Sequence, residues 1–152
     1  MGNRKKTNST AVKRLINSGL DGTSVTCVLI GSQTYARSWV RFEIMKSFRK
    51  GNRILGVHIN SIAGKDKLTK FRGPNPLEYL GVTFSASGDT GTLYEKSDGK
   101  WQKYSEIDGS ASFRTGGTAK QYWGMGFNLG RWYKTYDWIT DEGYNRFANW
   151  VA

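Results

Sequence analysis

Two short, almost wholly apolar runs flanking one amphipathic stretch constrain this chain more than any other feature. Ser24-Val-Thr-Cys-Val-Leu-Ile30 and Ile54-Leu-Gly-Val-His-Ile59 are rich in β-branched residues. The first also lacks the strict alternation of a one-sided sheet, and both read as buried strands, the first buried on both faces. Between them, Ser38 to Lys50 carries Val40, Ile44, Met45 and Phe48 at helical spacing, with Ser38 the expected N-cap and Gly51-Asn52 the stop. Strand, turn at Gly31-Ser-Gln-Thr34, helix and strand form a βαβ unit, whose crossover is expected to be right-handed. An α/β fold follows, with the helix stripe packed on a parallel sheet.

Ahead of this unit, residues 9–19 read as a short helix with Ala11, Val12, Leu15 and Ile16 on one side, ended by Gly19 and Asp21-Gly22. Behind it the pattern changes. Residues 65–76 are a polar loop bearing Gly and Pro. Thr92-Leu-Tyr-Glu-Lys96 and Lys100-Trp-Gln-Lys-Tyr104, joined through Ser97-Asp-Gly99, resemble a β-hairpin with alternating aromatics. Residues 110–118 are small and read as flexible, and Tyr122-Trp-Gly-Met-Gly-Phe127 follows as a Gly/aromatic stretch. Residues 141–151 read as a closing amphipathic helix with Tyr144, Phe147, Ala148 and Val151 on one face. No linker divides the chain, so one domain is expected over residues 1–152, with a core at 9–81 and a C-terminal elaboration at 82–152.

Composition supports a folded chain: 38% of the 152 residues are hydrophobic, 14% are aromatic, and only two are proline. No run of about 18 apolar residues is present, so no transmembrane helix is expected. The basic opening Met1-Gly-Asn-Arg-Lys-Lys6 has no apolar stretch behind it and does not read as a secretory signal. The single cysteine, Cys27, cannot form an internal disulfide, and a reducing cytoplasm is the expected compartment.

Charge is unevenly spread. Up to Arg72 there are fifteen Lys/Arg against three acids (Asp21, Glu43, Asp66), a balance of +12; from Gly73 onward eight basic residues face nine acidic ones, a balance of −1. The first half therefore attracts anions such as nucleic acid, acidic lipid or a phosphorylated small molecule, unless it is merely a solvated basic face.

Ligands of open α/β sheets sit beyond the carboxyl ends of the strands, here the segment from Gly31 through Ser32 and Thr34 to Ser38. The N–H groups and dipole of the following helix favour a phosphate there. Glu43 lies four residues after Trp39, on the same helix face, and basic neighbours Arg37, Arg41 and Lys46 are expected to keep it ionised. A carboxylate at that mouth can hold ribose hydroxyls and stabilise an oxocarbenium-like transition state. The bland alternative is a solvated glutamate paired with Lys46 or Ser47. His58, the only histidine, reads as packed and satisfied rather than catalytic, and Cys27 as core. A lone histidine and a lone cysteine argue against a zinc site or a Cys/His nucleophile pair, so no metal is expected. Neither a Gly-x-Gly-x-x-Gly nor a Walker sequence follows the strand. Trp123, Trp132, Tyr133 and Trp138 read as core and rim, or alternatively as base-stacking platforms beside Arg131 and Lys134.

Taken together, these segments resemble the TIR-like family of bacterial anti-phage proteins of Thoeris systems. The resemblance rests on Ser24 through Tyr35, Ser38-Trp-Val-Arg-Phe-Glu-Ile44, Gly51 through Ile59, Gly73-Pro-Asn-Pro76 with Leu80-Gly81, and the closing Tyr136-Asp-Trp138, Asp141, Gly143-Tyr144 and Trp150-Val151. It implies a flavodoxin-like sheet flanked by helices, related to Toll/interleukin-receptor domains. It also implies cleavage of the nicotinamide–ribose bond of NAD as substrate rather than cofactor, with Glu43 catalytic and Ser32, Thr34, Ser38 and Trp39 in binding. The implied product is a cyclic ADP-ribose-type messenger that activates a separate effector protein. Such proteins open with a further strand–helix–strand segment, which this chain is expected to lack ahead of residue 9. The edge of the strand at 24–30 is then expected to be unpaired, and self-association, or pairing with another TIR-like chain, is expected there. A non-catalytic interaction module and a basic nucleic-acid binder are the competing readings, the latter the weaker.

Overall fold

The computed structural model describes residues 11–16, 18–19 and 22–152. The expected leading helix is seen at residues 11–16 and 18–19; the remainder of that stretch and the basic opening lie outside the described residues.

The βαβ unit forms where the apolar pattern places it. Strand β1 (Val25–Ile30), helix α1 (Ser38–Lys50) and strand β2 (Arg53–His58) follow one another, with β1 and β2 parallel from Val25↔Arg53 to Ile30↔His58. Arg37, not Ser38, occupies the N-cap, and no side chain caps the helix start. At the other end Asn52 N–H donates to the Ser47 carbonyl at 3.0 Å, closing the helix at Gly51 as the sequence suggests.

After β2 the chain leaves this sheet. Strands β3 (Leu80–Phe84), β4 (Thr90–Ser97), β5 (Lys100–Lys103), β6 (Ser112–Arg114) and β7 (Gly126–Asn128) build an antiparallel sheet in the order β5-β4-β3-β7, with β6 also on β4. The expected hairpin is β4–β5. Its two-residue turn, Asp98 at φ 50 and Gly99 at φ 74, needs left-handed conformation at both positions, which Asp-Gly tolerates. Residues 110–118 are not simply a flexible loop, because β6 pairs Thr90–Thr92 there and its Phe113 packs against the core. The chain then returns to the first sheet as β8 (Thr135–Asp137), parallel to β2, and ends in helix α2 (Gly143–Val151).

The parallel sheet, ordered β1-β2-β8, is flanked by helices, giving the flavodoxin-like arrangement. On one face Val28, Ile30 and Ile54 pack with Ile44 and Met45 of α1, in a core continuous with Leu80, Val82 and Leu93 of the antiparallel sheet. On the other face Leu55 and Val57 pack with Trp150 of α2. Of the two apolar runs, β2 is buried on both faces and β1 is not. Strand β1 alternates: Val25 and Cys27 are half-buried against the cluster that holds Trp150 of α2, whereas Leu29 is 57% exposed. Among the described residues β1 pairs on one side only.

The buried face of α2 differs from expectation. Tyr144 is 90% exposed and Ala148 is exposed, while Gly143, Phe147 and Trp150 face inward. Trp150 sets this rotation by stacking on Tyr136, with ring centroids 4.1 Å apart and planes at 8°. Trp132 lies among Phe48, Phe84, Tyr122 and Phe127, and Trp138 against Phe147 and Trp150, so those two tryptophans are packing residues. Among the described residues no helix is long and apolar enough to cross a membrane.

Candidate active site

Helix α1 carries the site. Its inner face is fixed by Ile44 and Met45, both fully buried, which turns Trp39 and Glu43 away from the core on successive turns. Glu43 is half-buried, and its carboxylate meets no ion pair or hydrogen bond among the described residues. Burial raises its pKa above the ordinary glutamate range.

This overturns two expectations. The basic neighbours do not lower the Glu43 pKa, which burial raises: Arg41 is itself buried and committed to the Tyr35 and Lys96 carbonyls and Glu95. Nor does Glu43 pair with Lys46. Ser47 Oγ donates to the Glu43 backbone carbonyl at 2.7 Å, leaving the carboxylate unengaged.

Ser38 and Trp39 line a cavity of about 960 Å³ between the start of α1 and the β4–β5 hairpin. That volume lies within the range of small-molecule sites. Tyr35, Phe42, Tyr79 and Tyr104 supply its aromatic wall. Arg41 spans it: Nε donates to the Tyr35 carbonyl at 2.9 Å, Nη1 to the Lys96 carbonyl at 3.0 Å, and Nη1 lies 3.6 Å from Glu95 Oε1. Its guanidinium also sits 5.7 Å from the Tyr79 ring centroid. Burial, with Glu95 and Glu106 nearby, pushes the Tyr104 phenol far above its usual range, so it is a neutral hydrogen-bonding group.

The other two predicted residues lie elsewhere. Ser32 and Thr34 line a smaller cavity of about 310 Å³ at the carboxyl ends of β1 and β2, with Arg37, Asn60 and Lys70. Thr34 Oγ1 is already occupied, accepting the Gly31 N–H at 2.8 Å. Glu43 lines neither cavity; it stands one helical turn beyond Trp39. The structure thus joins Ser38 with Trp39, and Ser32 with Thr34, but not the two pairs. Sequence reasoning missed Arg41, Tyr79, Glu95 and Tyr104. Only Arg41 left a signal, as a cation on the apolar side of α1.

Cys27 is half-buried, and burial raises its thiol pKa. His58 is packed at 3% exposure, yet its Nδ1 lacks a partner among the described residues, so it is not the satisfied histidine expected.

A parallel sheet with helices packed on both faces places the chain among the flavodoxin-like α/β proteins. The model of the family described as "Thoeris protein ThsB, TIR-like domain" matches residues 1–63. A protein of Bacillus cereus (strain MSX-D12) named "Putative cyclic ADP-D-ribose synthase ThsB1" is 50% identical over 148 residues, covering 97% of this chain and 76% of the relative. The chain belongs to the ThsB family of TIR-like Thoeris proteins.

Proposed function

We propose that this chain cleaves NAD at the nicotinamide–ribose bond and closes the ADP-ribose product into a cyclic messenger that activates a partner effector in anti-phage defence. The observation that carries this reading is Glu43, a half-buried carboxylate with no partner among the described residues, one turn beyond a cavity sized for part of a dinucleotide. The name of the Bacillus cereus relative supports the product class. In this mechanism the glycosidic bond breaks heterolytically and nicotinamide departs with the bonding pair. The carboxylate of Glu43 offsets the positive charge developing at the ribose carbon. Trp39 and Ser38 hold the rest of the dinucleotide against α1, and its own base then captures the ribose carbon, closing the ring. Ser32 and Thr34 belong to a neighbouring crevice that phosphate oxygens can reach. NAD is substrate here, and no separate cofactor or metal enters the reaction.

The test is NAD turnover by wild type against Glu43→Gln, with products separated by chromatography. Loss of turnover by at least about a hundredfold in a folded variant supports the reading. Turnover retained by Glu43→Gln, or absent from the folded wild type, overturns it.

A second reading draws on strand β1, whose outer edge is unpaired among the described residues and whose Leu29 is exposed. Such an edge can accept a strand from another TIR-like chain, making the protein an interaction module. Light scattering across a concentration series decides it, since a monomer at every concentration excludes self-pairing.

A further inference from the structure

A third cavity, of about 550 Å³, takes no part in the chemistry described above. It is walled by His58, Arg72, Asn75, Glu78 and Thr135. His58 ends β2 beside Asp137 of β8, at the carboxyl edge where α/β sheets receive ligands.

The wall residues other than Asn75 each keep hydrogen-bonding capacity that the fold leaves unused. His58 is 3% exposed, and its Nδ1 is sealed from solvent without a hydrogen-bond partner among the described residues. Burial, followed by the neighbouring Arg72, lowers its pKa, leaving a neutral ring with one donor and one acceptor. Arg72 is held loosely, its Nη1 3.7 Å from Asp137 Oδ2, with a side chain 60% exposed. The other oxygen of Asp137 already accepts the Ile139 and Thr140 N–H groups at 3.0 Å. The remaining guanidinium N–H groups of Arg72 therefore suit an anion. Asn75 is spent, its Oδ1 accepting from Leu77 N–H at 3.0 Å and its Nδ2 donating to Thr135 Oγ1 at 2.8 Å. That leaves the Thr135 hydroxyl hydrogen as a donor and the Glu78 carboxylate as an acceptor.

A bare anion would meet Arg72 but leave Glu78 facing like charge. A neutral polyol would satisfy Glu78 but leave Arg72 unmatched. The geometry points to a binding site for a phosphorylated sugar, its phosphate on Arg72 and its hydroxyls shared by Glu78 and Thr135 beside the His58 ring. This site is distinct from the surface of α1 that bears Glu43.

His58 is the only histidine in the chain, so its ring nitrogens give a single, assignable pair of magnetic-resonance signals. Nitrogen-15-labelled protein is titrated with ribose 5-phosphate and, separately, with inorganic phosphate. The sugar phosphate is expected to move both His58 signals saturably and to bind about tenfold or more tighter than phosphate. Arg72→Gln and Glu78→Gln alter exposed side chains and leave the fold intact. The first is expected to weaken binding about tenfold, and the second to remove the preference for the sugar. Glu43→Gln is expected to leave the His58 response to the sugar phosphate as in wild type. Unmoved His58 signals, equal affinity for phosphate with no effect of Glu78→Gln, or loss of the response in Glu43→Gln would each overturn the proposal.

Discussion

Thr26 Oγ1 on β1 and Ser47 Oγ on α1 meet 2.8 Å apart in the buried seam between strand and helix. The single Ser47 hydroxyl hydrogen is committed to the Glu43 carbonyl, so Thr26 is the donor in this pair. Asn52 Nδ2 completes the chain by donating to Thr26 Oγ1 at 3.3 Å. The helical turn that presents Glu43 is thus tied to the sheet by side chains rather than by apolar packing alone.

Ser47→Ala leaves the buried Thr26 hydroxyl without its acceptor. Stability is expected to fall by about 1–2 kcal/mol in urea denaturation. NAD turnover is expected to fall far less than in Glu43→Gln, because the carboxylate itself survives.

The raised pKa of Glu43 fixes a direction with pH. Burial disfavours its ionised form, so this group costs stability as pH rises through its folded-state pKa. It costs nothing below the ordinary glutamate range, where the carboxyl is protonated folded or unfolded. Glu43→Gln is therefore expected to equal or exceed wild type in stability at neutral pH, with the difference vanishing in acid. The acid limb of NAD turnover is expected above the ordinary glutamate range, read from a pH–rate profile.

Arg41 binds α1 to the hairpin through the Lys96 carbonyl and Glu95, and to the turn before α1 through the Tyr35 carbonyl, with its side chain only 9% exposed and that of Glu95 21%. Arg41→Met removes these partners and leaves Glu95 without its cation. A loss of about 2–3 kcal/mol is expected, below the value for a fully buried pair because water still reaches Glu95. Arg41→Lys keeps the charge but cannot serve both carbonyls, and is expected to fall between the two in thermal unfolding.

Local pattern carried most of the parallel half of the fold. The helix bounds Ser38 and Lys50 match the sequence reading, as do β1 and β2 within a residue, because apolar spacing and the Gly51 stop act over a few residues. The Asp98-Gly99 turn was legible for the same reason. The rest of the antiparallel sheet was not. β6 and β7 are three residues each and are held by partners about twenty and forty-five positions away, which no local pattern encodes. The site was half legible. Glu43, Ser38 and Trp39 follow from one helix, whereas Tyr79, Glu95 and Tyr104 reach the cavity only through that long-range sheet. The inner face of α2 was half legible: Phe147 and Val151 pack inward as the pattern suggests, but Trp150 takes the place expected for Tyr144 by stacking on Tyr136.

Gly73 packs so closely on the turn after β1 that an added Cβ would lie 2.2 Å from the Gly31 carbonyl oxygen and 2.8 Å from Ser32 Cα. Two backbones forty residues apart therefore touch with no room for a side chain, and neither stretch tolerates a change of length. Residues 65–69, where Leu68 is largely exposed, line none of the cavities described and carry no such restriction. A tag, a fluorophore or an inserted peptide belongs in that span, and a reporter grafted at 31–34 or 73–76 would pry the two halves of the chain apart.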